Sequence, residues 1–145
     1  MRHRVLRPFV AASVALLLAL PLSRPMPAAA EDAAAGIART IQSQLDAFLA
    51  DDFPTAFTFA SPGIKRMFGT PERFGEMVRS GYPMVWRPSE VRYLERRDLN
   101  GAIVQRVMII DQQGGLHLLD CMMVETGEGW QIAGVQLLRG SALGA

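Results

Sequence analysis

"SEVRYLERRDLNGAIVQRVMIIDQQGGLHLLDCMMVE", residues Ser89 to Glu125, alternates apolar and polar residues and is broken by two turn signals. A period of two is the mark of a strand, whose successive side chains point to opposite faces. Asn100-Gly101 lies between two such runs. It predicts a two-residue hairpin, because the favoured turn needs positive φ at both positions. "DQQGG" (111–115) places a glycine three residues after Asp111, as in a type I turn closed by a glycine bulge. "TGEG" (126–129) then leads into a fourth run, "WQIAGVQLL" (130–138). All three connections are short hairpins, so the four runs predict an antiparallel meander. In the fourth run, apolar parity shifts at Gly134 from Trp130 and Ile132 to Val135 and Leu137. That shift predicts a bulge bending the sheet.

Upstream of Ser89 the period is helical. "AGIARTIQSQLDAFLADD" (35–52) sets Ile37, Ile41, Leu45, Phe48 and Leu49 on one stripe. Asp52 can cap a second helix with Pro54 in its first turn and Phe53, Phe57 and Phe59 as its apolar residues. Ser61, Pro62 and Gly69 repeat the scheme of cap, first turn and stop. Thr70, Pro71 and Gly81 do so again around a stripe of Phe74, Met77 and Val78. "YPMVWRP" (82–88) then reads as an extended aromatic link held by Pro83 and Pro88, a lid over the core. Helices followed by a curved four-stranded antiparallel sheet make an α+β domain. There is no internal repeat and no low-complexity linker.

The amino-terminal end reads as a signal for export. Arg2, Arg4 and Arg7 precede the apolar run "FVAASVALLLALPL" (9–22), and Ala28-x-Ala30 offers a small-residue cleavage site. The run is shorter than the ~20 residues a membrane span needs. Residues 1–30 are therefore expected to be removed, leaving one domain, 31–145, that is periplasmic or secreted and without membrane attachment. Cleavage takes four arginines away and leaves 11 basic against 14 acidic residues, Lys65 being the single lysine. A mildly acidic domain has no footprint for nucleic acid or anionic lipid. Cys121 is the single cysteine, set in "LLDCMMV" (118–124), and reads as a small buried hydrophobe with an inert thiol.

"IQSQLDAFLADDFPTAFTFASPGIKRMFGTPERFGEMVRSGYPMVWRP" (41–88), with "QRVMI" (105–109) and "GWQIAGVQLL" (129–138), resembles domain-of-unknown-function family 4864. The members of that family are small exported proteins found mainly in alphaproteobacteria. The order of helices and strands also resembles the broader nuclear-transport-factor-2-like (SnoaL-like) superfamily. That resemblance implies a cone-like, cystatin-like roll with a cavity beneath the helices. It does not choose a function, since the superfamily holds isomerases, cyclases and dehydratases beside binding and dimerising domains.

Several chemistries lack a signature. One histidine beyond the signal segment, His117, and one cysteine assemble no zinc, iron–sulfur or haem site, so no metal or cofactor is expected. No nucleophile motif surrounds any serine, no glycine-rich phosphate loop occurs, and His117 reads as an ordinary strand-end residue. The informative charges lie on the strands. The two hairpin registers set Glu95 opposite Arg106 and Arg106 opposite Asp120. Val91, Tyr93, Val104, Met108, Ile110, Leu116, Leu118 and Met122 are expected on the same face. Such a row is either a cross-strand salt ladder on a solvated or dimer-facing surface, or the polar floor of a pocket.

No catalytic residue is assigned. Tyr82, Trp86, Tyr93, Glu95, Arg106 and Asp120 are the candidate ligand-binding residues. The leading expectation is non-catalytic binding of a small apolar or amphipathic molecule, or of a protein partner. The alternatives are an isomerase- or hydratase-type enzyme using Asp120 with Arg106 or Tyr93, and a structural homodimer joined through an uncovered sheet face. Amino-terminal sequencing of the exported protein is expected to begin at Glu31, and an intact Met1 would contradict export by cleavage.

Overall fold

The computed structural model describes residues 28–139, so the expected signal segment lies outside the described residues up to its last three. Five helices precede four strands: α1 (Ala28–Leu49), α2 (Phe53–Thr58), α3 (Pro62–Phe68), α4 (Pro71–Gly81), α5 (Pro83–Trp86), β1 (Pro88–Leu99), β2 (Ala102–Asp111), β3 (Leu116–Thr126) and β4 (Gly129–Leu137). The helices pack on one antiparallel sheet of order β1-β2-β3-β4 that does not close on itself.

The helix boundaries follow local chemistry. Asp52, Ser61 and Thr70 each accept a hydrogen bond from the backbone N–H three residues on, at 3.2, 3.4 and 3.3 Å. Each cap is followed by a proline in the first turn, where its missing N–H leaves no bond unmade. Gly69, at φ 77°, ends α3.

The link at 82–88 is not extended. Pro83 starts one helical turn, in which the N–H groups of Val85 and Trp86 both donate to the Tyr82 carbonyl, at 2.9 and 3.2 Å. The fixed φ of Pro83 favours that turn, and Pro88 forces Arg87 out of helical conformation and ends it.

Asn100 and Gly101 both take positive φ, 52° and 85°, as the first hairpin requires. In the second hairpin, Asp111 donates its N–H to the Gly115 carbonyl at 2.9 Å, and Gly114 sits at φ 83°. The bulge expected in the last strand is present: Met122 pairs with Gly134 and Met123 with Ile132, so Ala133 is the extra residue.

A second bulge was not expected. Tyr93 pairs with Val107 and Arg96 with Gln105, so Leu94 and Glu95 together stand opposite Arg106. Because side chains alternate between faces, one extra residue moves everything before it to the other side. Val91 and Tyr93 therefore face the helices, beside Ile109 and Val107, and do not share a face with the charge row. Gln105 holds the bulge. Its amide, on a side chain 5% exposed, donates to the Leu94 and Arg106 carbonyls at 2.9 Å each.

The core lies between the helices and one sheet face. Ile37, Ile41 and Leu45 of α1 pack on Val107, Ile109, Leu119, Cys121 and Met123. A second cluster joins Phe48 to Phe74, with Phe53, Phe57 and Phe68 around them at ring separations of 5.3–6.2 Å. Leu49 does not belong to the stripe and is 44% exposed, since it lies about 100° around the helix from Phe48. Gln44 is buried on that side instead, donating to the Ala56 carbonyl at 3.1 Å. The segment Phe59–Ser61 covers part of the outer edge of β4, where Ser61 N–H and Phe59 C=O bond Ile132 at 2.9 Å each.

Phe48 has 0% exposure and links α1 to the other phenylalanines. Phe48→Ala is expected to lower unfolding stability by ~3–5 kcal/mol in urea, and a loss within experimental error would contradict this core.

Candidate functional site

Two features stand out: a cleft beneath the helices and a row of charges on the opposite sheet face. The cleft lies between α3, α4 and the bulged part of β4 and has a volume of about 330 Å³. Its walls include Phe48, Phe68, Phe74, Met77, Val85 and Ala133, and no charged side chain lines it. A void of about 20 Å³ lies further in, and Gln44, Val85, Ile132 and Val135 line both spaces. Tyr82 also lines the cleft, with its hydroxyl 3.3 Å from the Val135 carbonyl. The volume falls at the lower end of the range for small-molecule sites, roughly 300–1,000 Å³.

The charge row runs across three strands. Arg106 Nη1 lies 2.9 Å from Glu95 Oε1, and its Nε and Nη2 donate to the two oxygens of Asp120 at 2.8 and 3.0 Å. Arg97 Nη2 adds a contact to Asp120 Oδ2 at 2.7 Å. Asp120 is thereby 7% exposed although it lies on the face the helices leave open. The Arg106 hydrogen bond, helped by the charges of Arg106 and Arg97, holds its carboxyl below the usual range. The same bond raises Arg106. A carboxylate stabilised as an anion is a poor proton acceptor, and both oxygens of Asp120 are already engaged by guanidinium groups.

The six sequence-derived candidates thus fall in four places. Tyr82 lines the cleft. Tyr93 sits between β1 and α1, its hydroxyl donating to Gln42 Oε1 at 2.9 Å. Trp86 packs against the phenylalanine cluster from α5 and donates from Nε1 to Asp51 Oδ1 at 2.9 Å. The Arg87 guanidinium stacks 4.0 Å over the Trp86 ring and grips both oxygens of Asp51, at 2.9 and 3.0 Å. Asp51 stands at φ 54°, a conformation that aspartate tolerates better than most residues. Bonds from Trp86 and then Arg87 lower its pKa. Glu95, Arg106 and Asp120 share the open face.

His117 stands near the start of β3 and is partly exposed, as expected, and it has a partner. Its Nε2 lies 2.7 Å from Asp111 Oδ2, at the wall of a recess of about 270 Å³ shared with Trp86 and Arg87. That bond and the Gly115 N–H lower Asp111. Burial pushes the Cys121 thiol up to about 12, which leaves no thiolate at neutral pH. Among the described residues no group of three or more His, Cys, Asp or Glu could hold a metal ion, and no helix is long and apolar enough to cross a membrane.

Sequence reasoning missed Arg97, Gln44 and the phenylalanine and methionine walls of the cleft. Arg97 was within reach of it, because the hairpin register places Arg97 beside Val104, and thus diagonal to Asp120. Gln44 carried a signal too: a glutamine seven residues after Ile37 falls on the apolar stripe.

The molecule is an α+β domain of helices laid on one face of an open antiparallel sheet, with an apolar cleft at their junction. The chain belongs to the family described as "Domain of unknown function (DUF4864)", whose model matches residues 30–144. No curated protein and no solved structure matches it.

The row generates a pH dependence with a definite sign. The folded-state pKa of Asp120 lies below its unfolded value, so its contribution is present above the ordinary carboxylate pKa of ~3.9 and is lost as pH falls through the folded value. Asp120→Asn is expected to be less stable than the parent at pH 7, and the gap should close in acid. Urea unfolding from pH 7 to pH 3 measures this, and a gap independent of pH would contradict it.

Proposed function

We propose that this protein is an exported, non-catalytic domain that binds a small apolar molecule in the cleft between α3, α4 and β4. The observation that carries the reading is an apolar recess of about 330 Å³ without a charged wall, beside residues whose packing defines the fold. Burial of apolar surface supplies the driving force, at roughly 25 cal/mol per Å² before association costs. Met67 and Met77 line the recess and can adapt to different ligand shapes. In this reading the one-sided sheet is a nuclear-transport-factor-2-like (SnoaL-like) half-cone, with the cleft at its mouth.

The enzymatic alternative has less support. Asp120 and Arg106 lie on the opposite sheet face from the cleft, and Tyr93 is separated from both by the β1 bulge. One observation favours a second reading, self-association through the open sheet face: Leu94, Leu99, Leu116 and Met122 are 41–50% exposed there. Both readings can hold together, because they use opposite faces.

Native mass spectrometry of the protein from its own periplasm reports ligand and subunit count at once. The expected result is a retained uncharged species of small-molecule mass that Ala133→Leu, which fills the cleft, removes. Absence of any retained mass, with no binding of apolar probes, would overturn the reading.

A further inference from the structure

The cleft has one polar atom in its wall that nothing in the fold uses. Gln44 lies on α1 where the apolar stripe would carry a hydrophobe, and it is 6% exposed. Its Nε2 donates to the Ala56 carbonyl at 3.1 Å, and only the nitrogen end of the amide can make that bond. Among the described residues no donor reaches its Oε1. Every side-chain nitrogen or oxygen sealed from solvent among them has a partner, so this oxygen is not sealed. It belongs to the wall of the space that Gln44 lines, the cleft and the void inward of it.

The other side-chain polar group of the cleft is an acceptor as well. The Tyr82 hydroxyl directs its proton at the Val135 carbonyl, 3.3 Å away, which leaves its lone pairs free. The side chains of this apolar recess thus offer acceptors at Gln44 Oε1 and the Tyr82 hydroxyl. As a donor they offer only the second amide hydrogen of Gln44, so the recess favours a ligand that brings a donor of its own. A carboxylate would be buried there without a cation, since no charged side chain lines the cleft. A ligand carrying only acceptors would leave Gln44 Oε1 without a donor.

Resting on the reading of this cleft as a ligand site, we propose that its ligand class is an uncharged apolar molecule with one hydrogen-bond donor, a hydroxyl or N–H, given to Gln44 Oε1. The size follows from the volume. An apolar cavity of about 150 Å³ holds a benzene, so about 330 Å³ suits two fused rings or a chain of similar bulk. The donor end lies inward, at α1, and the apolar body lies against Phe68, Phe74 and Met77.

Three probes of nearly equal size test this by calorimetry at pH 7 on the purified protein: 2-naphthol, 2-methoxynaphthalene and 2-naphthoate. The hydroxyl compound is expected to bind about three- to tenfold more tightly than the methyl ether, the usual net worth of one hydrogen bond. The carboxylate should bind most weakly. Gln44→Met should abolish the preference for the hydroxyl, whereas Tyr82→Phe should keep it. Equal binding of naphthol and its ether, or a preference that survives in a folded Gln44→Met, overturns the proposal while leaving the cleft as a site. Failure of all three probes to bind overturns the cleft reading and this proposal with it. The ranking on the unaltered protein decides the matter if Gln44→Met does not fold.

Discussion

The buried amide of Gln105 decides what each face of the sheet is made of. By donating to the Leu94 and Arg106 carbonyls, it supplies the partners that an extra residue in β1 would otherwise leave unmet. With the bulge in place, Tyr93 and Val91 turn to the helices and Glu95 turns away from them. Without it, β1 would slip by one residue, and a phenol and a valine would leave the core. The hydrophobic packing of α1 on β2 and β3 therefore depends on a polar contact at the strand beside them.

The second bulge does a matching task at the other edge. Ala133, the extra residue of β4, lines a gap between that strand and α3 and α4. The apolar cleft lies in that gap. One face of the sheet thus makes both the core and the cleft, while the other collects charges that satisfy one another. Four ionic side chains sit among exposed leucines and Met122 without an uncompensated carboxylate, because each oxygen of Asp120 meets a guanidinium and Glu95 meets Arg106. This separation is why a ligand beneath the helices and a contact on the open face would act independently.

Much of this was legible in the residues. Caps at Asp52, Ser61 and Thr70, the Asn100-Gly101 turn and the bulge before Gly134 are local rules, and each holds where the rule places it. The pairing of Arg106 with Asp120 followed from counting back from one hairpin. What failed was parity across "RYLERRD". A bulge at Leu94–Glu95 has no glycine to announce it, and its stabiliser, Gln105, comes from the neighbouring strand. The turn at Pro83 reads as extended in the sequence because two prolines frame it, although Pro83 also suits the start of a helix. Beyond the cavity that the resemblance implies, the position and walls of the cleft were not legible. They depend on how far α3 and α4 stand from β4, a distance that no spacing within one element encodes.

Tyr93 reports the placement of β1 most directly. Burial, aided by the charge of Asp46, pushes its phenol up to about 12, whereas an unfolded tyrosine ionises near ~10. The chain has two tyrosines, so Tyr82→Phe leaves Tyr93 as the single chromophore of its kind. Ultraviolet titration of that variant should show no tyrosinate through pH 10–11, with ionisation near 12 or in one step with alkaline unfolding. Smooth ionisation near pH 10 in the folded protein would place Tyr93 on the open face and contradict the bulge on which both faces depend.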